Sequence, residues 1–496
     1  MSRSSRTNDR NATRREFLWQ GACAALTATG IADSIWNLRM INAATAAAAT
    51  QPSPYKALVC IFLFGGNDGN NLLIATDDVT DPNPALANRF TKYKNARGVL
   101  ALAAPGATNG ILPLSATNVP SGQTYGIHPN CPELAGLFNV DGKLALLANV
   151  GTLLAPATKA DYTNRTSAIP PQLFSHSDQQ IEWQTNIEDQ PPKTGWGGRT
   201  ADLLYSMNSS NSVAMNISLA GTNTYQVGNV VQEYSVSPGG AVSLNIPTNT
   251  AGMNELAAFR KLLVPNYPAT QPSDYYKSHP NLYEGTFAEA MDASLLAASS
   301  INTKIAGTAA ANFFTTPFPA SSLGQQLKMI ARLIAAAPAL GHNRQIFFAA
   351  AGGFDLHSNE GVFGGSQGKL LADVSASMNA LYRATVQLGV GDSVTQFTGS
   401  DFSRTFLVNG GSGADHGWGN NHLILGGAVK GKQVYGTYPD LTLSGPSDTG
   451  TGRWIPTTSV DQYSATLASW FGVSSSLMPN VFPYLGRFAS SNLGFI

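Results

Sequence analysis

The stretch Ala57-Leu-Val-Cys-Ile-Phe-Leu-Phe64, running into Gly65-Gly-Asn-Asp-Gly-Asn-Asn71, is where the fold is legible. The first part is apolar throughout, without alternation, and rich in β-branched and aromatic side chains. Such a run predicts a central strand buried on both faces, as in a parallel sheet covered by helices. The glycine-rich tail turns the chain at the strand's carboxyl end, where open α/β sheets gather their ligands. Asp68 stands there as a candidate catalytic or ligating carboxylate. Asn-Asp-Gly is also ordinary turn chemistry.

The same grammar recurs along the chain. A second buried strand is expected at 143–150. A third, at 345–351, ends in Gly352-Gly-Phe-Asp-Leu-His-Ser358. A fourth, at 393–398, ends in Ser400-Asp-Phe-Ser-Arg-Thr405. Amphipathic helices are expected at 323–336, 369–388 and 460–471, the last capped by Ser459. Another starts at Ser175 or Ser177, with Asp178 in its first turn, and one is expected over 201–207. Residues 77–123 read as a long irregular connection. Residues 213–315 read as an Asn-, Ser- and Pro-rich insertion, with short strands and helical stretches near 252–263 and 287–308. Strands alternating with helices predict an α/β fold, a three-layer α/β/α sandwich around a mainly parallel sheet.

Three strand ends thus deliver Asp68, then Asp355 with His357, then Asp401 with Arg404. Directly after comes Gly413-Ala-Asp-His-Gly-Trp-Gly-Asn-Asn-His422, which packs Asp415, His416 and His422 into ten residues among glycines. Carboxylates and imidazoles in glycine-permitted turns suit a hard or borderline divalent ion. Any one of them alone is satisfied as turn chemistry. Independent turns are not expected to deliver ligand types so repeatedly, and the chain has only seven histidines to place. His128 is either an outer partner of such a site or a capping histidine. Ser175 would cap a helix or, as a nucleophile, gain from the backbone N–H groups and dipole there.

Composition narrows the function. Only 12% of the 496 residues are charged and the net charge is zero, so there is no basic footprint for nucleic acid. Thr13-Arg14-Arg15-Glu16-Phe17-Leu18, an alanine-rich apolar segment and small residues at 43–49 read as a twin-arginine export signal. The expectation is a periplasmic or secreted protein carried by the twin-arginine translocase, with residues 1–50 outside the fold. Asp33 and Arg39 interrupt the apolar run, so no stable membrane span is expected. Of three cysteines, Cys23 would leave with the signal. Cys60 and Cys131 are expected as two separate buried thiols, although an oxidising compartment permits a bridge.

The order of these residues carries a resemblance. Asp after the first strand, Ser at a helix start, Asp and His after a middle strand, then Ala-Asp-His-Gly and a later His resemble the alkaline phosphatase and sulfatase superfamily. The chain is more closely similar to a family of exported bacterial proteins, domain-of-unknown-function family 1501. The marks are Phe64–Asn71, Ser175-His176, Gly195-Trp196, Gly353–His357, Asp401–Thr405, Gly413–Asn420 and Pro456–Tyr463.

The resemblance implies an alkaline phosphatase-like fold holding one or two divalent ions, Zn, Mn or Ca. One ion would take Asp68, Asp415 and His416, and the other Asp355, His357 and His422. The middle Asp and His are separated here by Leu356 alone, where the superfamily often places three residues. Ser175 would be the nucleophile, with Ser177 as alternate. Arg404 would clamp a substrate oxygen or, on the plainer reading, pair with Asp401. The expected substrate is a small-molecule or polymeric phosphate or sulfate ester. The alternative is a non-catalytic exported scaffold that binds carbohydrate or a partner.

If the export reading holds, changing both Arg14 and Arg15 to lysine leaves the precursor in the cytoplasm. Normal accumulation of the double variant outside the inner membrane, followed by fractionation and immunoblotting, rules the signal out.

Overall fold

The computed structural model describes residues 54–496 apart from 84–85, 190, 192, 211, 243–281 and 308–313. The export segment with Arg14, Arg15 and Cys23, and the helix expected at 252–263, lie outside the described residues. The strands are β1 (Lys56–Leu63), β2 (Leu73–Ala75), β3 (Leu112–Leu114), β4 (Tyr125–Ile127), β5 (Leu144–Gly151), β6 (Asn216–Ser218), β7 (Tyr234–Ser237), β8 (Gly240–Ala241), β9 (Arg344–Ala351), β10 (Val394–Ser400), β11 (Asn420–Gly426), β12 (Val434–Gly436) and β13 (Thr458–Ser459). The helices are α1 (Arg89–Arg97), α2 (Pro132–Gly136), α3 (Lys159–Asn164), α4 (His176–Thr185), α5 (Trp196–Leu204), α6 (Leu282–Gly307), α7 (Ser322–Leu340), α8 (Ser366–Gln387), α9 (Val460–Phe471) and α10 (Met478–Val481).

β1 is the middle of a sheet ordered β12-β5-β11-β10-β1-β9-β6-β7-β8, with β13 also paired to β5. It runs parallel to β10 on one edge and to β9 on the other. The pairings of β11 with β10 and β5, and of β7 with β8, are antiparallel. The remaining pairs of this sheet are parallel, so the sheet is mainly parallel, as the unbroken apolar runs predict. A separate antiparallel sheet is ordered β2-β4-β3.

The side chains of β1 sort by parity, as a two-residue strand period requires. Ala57, Val59, Ile61 and Leu63 enter one core with α2, α6, α7 and α8. Leu58, Cys60 and Phe62 enter the other with Trp183 of α4, α5, α9 and α10. These two cores are the layers of an α/β/α sandwich. Each fully buried Leu, Ile or Phe contributes roughly 1.5–3 kcal/mol relative to exposure, which is why β1 tolerates no polar face. Residues 216–241, expected within an insertion, extend the edge of this same sheet through β6, β7 and β8.

Cys60 and Cys131 are both free and buried. They belong to the two different cores, on opposite faces of the sheet, so the sandwich itself keeps them apart. Burial pushes both thiols well above the ordinary range. In protein freed of residues 1–50, neither thiol should react with a disulfide reagent until the fold is unfolded. Loss of two hydrogens from the intact mass would reveal a bridge and refute this arrangement.

Candidate metal centre

β9, β1 and β10 end level with one another, since Leu63 pairs with both Ala351 and Ser400. The three loops that follow therefore emerge side by side. Gly65, at φ +110°, turns the chain where a Cβ would meet the Asp355 backbone nitrogen at 2.5 Å, so only glycine fits. Its N–H donates to both carboxylate oxygens of Asp401 at 3.2 Å. The segments 403–405 and 415–418 run antiparallel: Thr405 N–H donates to Asp415 O at 2.8 Å and Gly417 N–H to Ser403 O at 2.7 Å. That pairing brings His416 against the same strand ends.

Three imidazoles meet there, and each Nδ1 faces an acceptor. His176, in the first turn of α4, places Nδ1 at 2.6 Å from Asp401 Oδ2. His416 places Nδ1 at 2.7 Å from the carbonyl of Phe174. His357 places Nδ1 at 3.1 Å from Asp415 Oδ1. A carbonyl or carboxylate accepts only, so each Nδ1 donates to its partner; His357 faces a carboxylate at Nε2 as well, Asp355 Oδ1 at 3.1 Å. This is how metal-ligating histidines are oriented. Phe174, whose carbonyl serves His416, sits at φ +73°, a costly conformation for a bulky residue.

The Nε2 atoms converge on Asp355. His357 Nε2 lies 3.1 Å and His416 Nε2 3.8 Å from Asp355 Oδ1, and His176 Nε2 3.6 Å from Oδ2. The ligand atoms of His176, Asp355 and His416 all lie within 4.8 Å of one another. Neighbouring ligands on a tetrahedral zinc stand about 3.3 Å apart, so small side-chain adjustments close the set. Two further observations fit a cation. His176 Nε2 is buried with no hydrogen-bond partner. His357 and His416 bring their Nε2 atoms to 2.8 Å, a separation that requires a proton or a cation between them.

Electrostatics agree with an ionised Asp355 and a neutral His416. Burial works against ionised Asp355, but the Arg404 hydrogen bond and charge outweigh it and hold the carboxyl below its usual range. Burial lowers His416, with Arg404, His176 and His357 adding to the shift. The ring is therefore neutral at and above its ordinary pKa. The Asp355 side chain is 48% and that of His357 45% exposed, so the cluster opens to solvent.

The expected residues fall into three groups. Asp355, His357 and His416 are brought together. Asp415 stands behind His357, held by Asn409 Nδ2 at 2.9 Å, as an orienting carboxylate. Asp68 and His422 are not in the cluster, which corrects the expected two-ion ligand set. Asp68 is buried, caps the turn to Asn70 N–H at 3.0 Å and pairs with buried Arg97, which also reaches Glu360. His422 lies inside β11 rather than in the loop before it. Its ring packs 4.6 Å from Trp183, with Nδ1 3.3 Å from Thr398 Oγ1, and burial drops its pKa to about 3. His128 accepts from Asn130 N–H through Nδ1 at 3.1 Å, the capping arrangement.

Arg404 pairs with Asp355 at 2.7 Å rather than with Asp401. Its other bonds go to the carbonyls of Gly65, Gly66 and Ala414. Buried and engaged at all three nitrogens, it ties the loops together and is not placed as a substrate clamp. Ser175 is the N-cap of α4, yet its hydroxyl donates to Asp178 Oδ2 at 2.5 Å and accepts from no helix N–H. Ser177 lies 3.2 Å from it. The sequence marks His176 and Asp401 separately and does not join them, because their contact spans 225 residues.

Asp401→Asn should preserve the fold and weaken metal binding by about 10–100-fold, the usual effect of removing the carboxylate behind a ligating imidazole. Titration of apo-protein with zinc against a competing chelator measures it. Unchanged affinity would show that His176 is not a ligand.

Among curated proteins none matches the chain. Among solved structures it is similar to Ps i-CgsB in complex with k-i-k-neocarrahexaose, at 8% identity and TM-score 0.31, over 88% of this chain and 77% of that one. It is also similar to the PsFucS1 sulfatase from Pseudoalteromonas sp., at 10% identity and TM-score 0.30, over 88% and 72%. Residues 55–447 match the family described as "Protein of unknown function (DUF1501)", and the chain belongs to that family.

Proposed function

We propose that this protein is an exported, metal-dependent hydrolase of phosphate or sulfate esters. The observation that carries the reading is the convergence of three Nδ1-anchored imidazoles on Asp355 at an open sheet edge. His176, His416 and Asp355 would hold one divalent ion, with His357 as fourth ligand or proton carrier. Three imidazoles and a carboxylate suit zinc better than calcium, which prefers oxygen alone. Such an ion polarises an ester oxygen and lowers the pKa of a nearby hydroxyl. A structural site would be closed, whereas exposure of Asp355 and His357 leaves room for a substrate.

Within this reading Ser175 is the nucleophile. It adjoins His176, and its hydroxyl is free of the capping duty that its position normally imposes. Asp178, accepting from that hydroxyl, is placed to take its proton as the oxygen attacks. Asp401 and the Phe174 carbonyl would hold the His176 and His416 protons on Nδ1, and Asp415 would orient His357. The twin-arginine route, which exports folded proteins, accords with a metal acquired before export.

Ser175→Ala should abolish hydrolysis of aryl phosphate and sulfate esters while leaving metal content at one equivalent. Asp355→Asn should lower metal occupancy first and lose activity with it. Full activity in Ser175→Ala would transfer the role to another group. Wild-type protein that holds no stoichiometric metal and cleaves no ester would leave only the scaffold.

A further inference from the structure

Arg453 has an unusual placement beside this centre. Its Nε–H donates to the carbonyl of His416 at 2.7 Å. Its guanidinium lies over the ring of Phe174, 5.1 Å from the centroid. These are the two residues joined by the bond that orients the His416 imidazole. The side chain is thus fixed at one edge and on one face. Among the described residues, no acceptor engages its Nη1 or Nη2, and Arg453 is only half-buried. Arg404, by contrast, has no donor edge left open to a ligand.

Its bond to the His416 carbonyl sets Arg453 on the rim of the site. Phe174 also walls a cleft of about 640 Å³ built from the segment between Tyr162 and Phe174, in which Arg165 is a second, exposed guanidinium. A planar fork held against an aromatic face, with two nitrogens open, is suited to a tetrahedral oxyanion.

We propose that Arg453 is the anion-recognition residue of this site, its Nη1 and Nη2 binding the sulfate or phosphate head of the substrate while the organic part lies along the Tyr162–Phe174 cleft. The ester part of this proposal rests on the hydrolase reading; anion binding by Arg453 does not. It replaces Arg404, which the sequence alone suggested for the role.

The test uses protein loaded with cobalt in place of zinc, with inorganic sulfate and inorganic phosphate as separate probes. Wild type should bind at least one, seen calorimetrically and as a change in the cobalt absorption bands. Arg453→Gln should weaken that binding by about tenfold or more and leave the anion-free cobalt spectrum and metal content unchanged. Arg453→Lys, keeping charge without the fork, should fall between. With an ester that turns over, KM should rise while kcat changes little. The probe that binds more tightly identifies sulfate or phosphate as the head group.

Wild-type anion affinity in Arg453→Gln would overturn the proposal. So would a changed anion-free spectrum in both variants, which would mean that Arg453 only props His416. Absence of binding of either probe to wild type would overturn it as well. Anion binding lost in Arg453→Gln without hydrolysis of any ester would sustain Arg453 and refute the hydrolase reading alone.

Discussion

The two-sided burial of β1 is the constraint on which the site depends. Because both faces are apolar and both edges are paired, the strand cannot slip by one residue without driving Ile61 or Phe62 to the wrong core. Its register with β9 and β10 is therefore fixed, and with it the level at which three loops leave the sheet. Gly65 and Gly66 then permit an approach that no side chain would allow, with a Cβ on Gly66 meeting the Phe402 ring at 2.6 Å. The convergence of Asp355, Asp401 and His416 is a consequence of strand register before it is a matter of side-chain chemistry.

The chain has few charges and uses several of them inside. Arg404, Arg97 and Arg344 are all buried, and each is satisfied largely by carbonyls or carboxylates from distant segments. A buried guanidinium costs several kcal/mol in lost hydration unless its donors are met. Arg404 meets that cost by bonding Gly65, Gly66, Ala414 and Asp355, which makes it a rigid joint between loops. Arg97 does the same for Asp68 and Glu360. Burial pushes the Glu360 carboxyl up to about 9, with Asp68 adding to the shift. Asp68 thus secures the turn after β1 through Asn70 and Arg97.

Histidine placement follows the same logic. In His176, His357 and His416 the Nδ1 atom meets an acceptor and Nε2 turns toward Asp355. A ring enclosed by Trp183 and Tyr463, as in His422, stays neutral and packs as an aromatic. His342, with Nε2 on the Val213 carbonyl and Nδ1 near Gln345, is likewise committed to the interior. The residue type is the same in every case, and the neighbours decide the role.

Much of this was legible in the sequence because it is local. The unbroken apolar runs at 57–64, 345–351 and 143–150 declare strands buried on both faces, and their alternation with helices declares the sandwich. The carboxylates and imidazoles after strand ends declare where a site would form. Tertiary structure alone decided which of them meet. Asp68 and Arg404 turned to partners in the interior, and His422 fell two residues inside a strand. His176 acquired Asp401 across 225 residues, and Arg453 came to rest on Phe174. Sequence records side-chain chemistry and short-range period, whereas ligand sets and ion pairs depend on distances between loops, which exist only once the register of the sheet has set them.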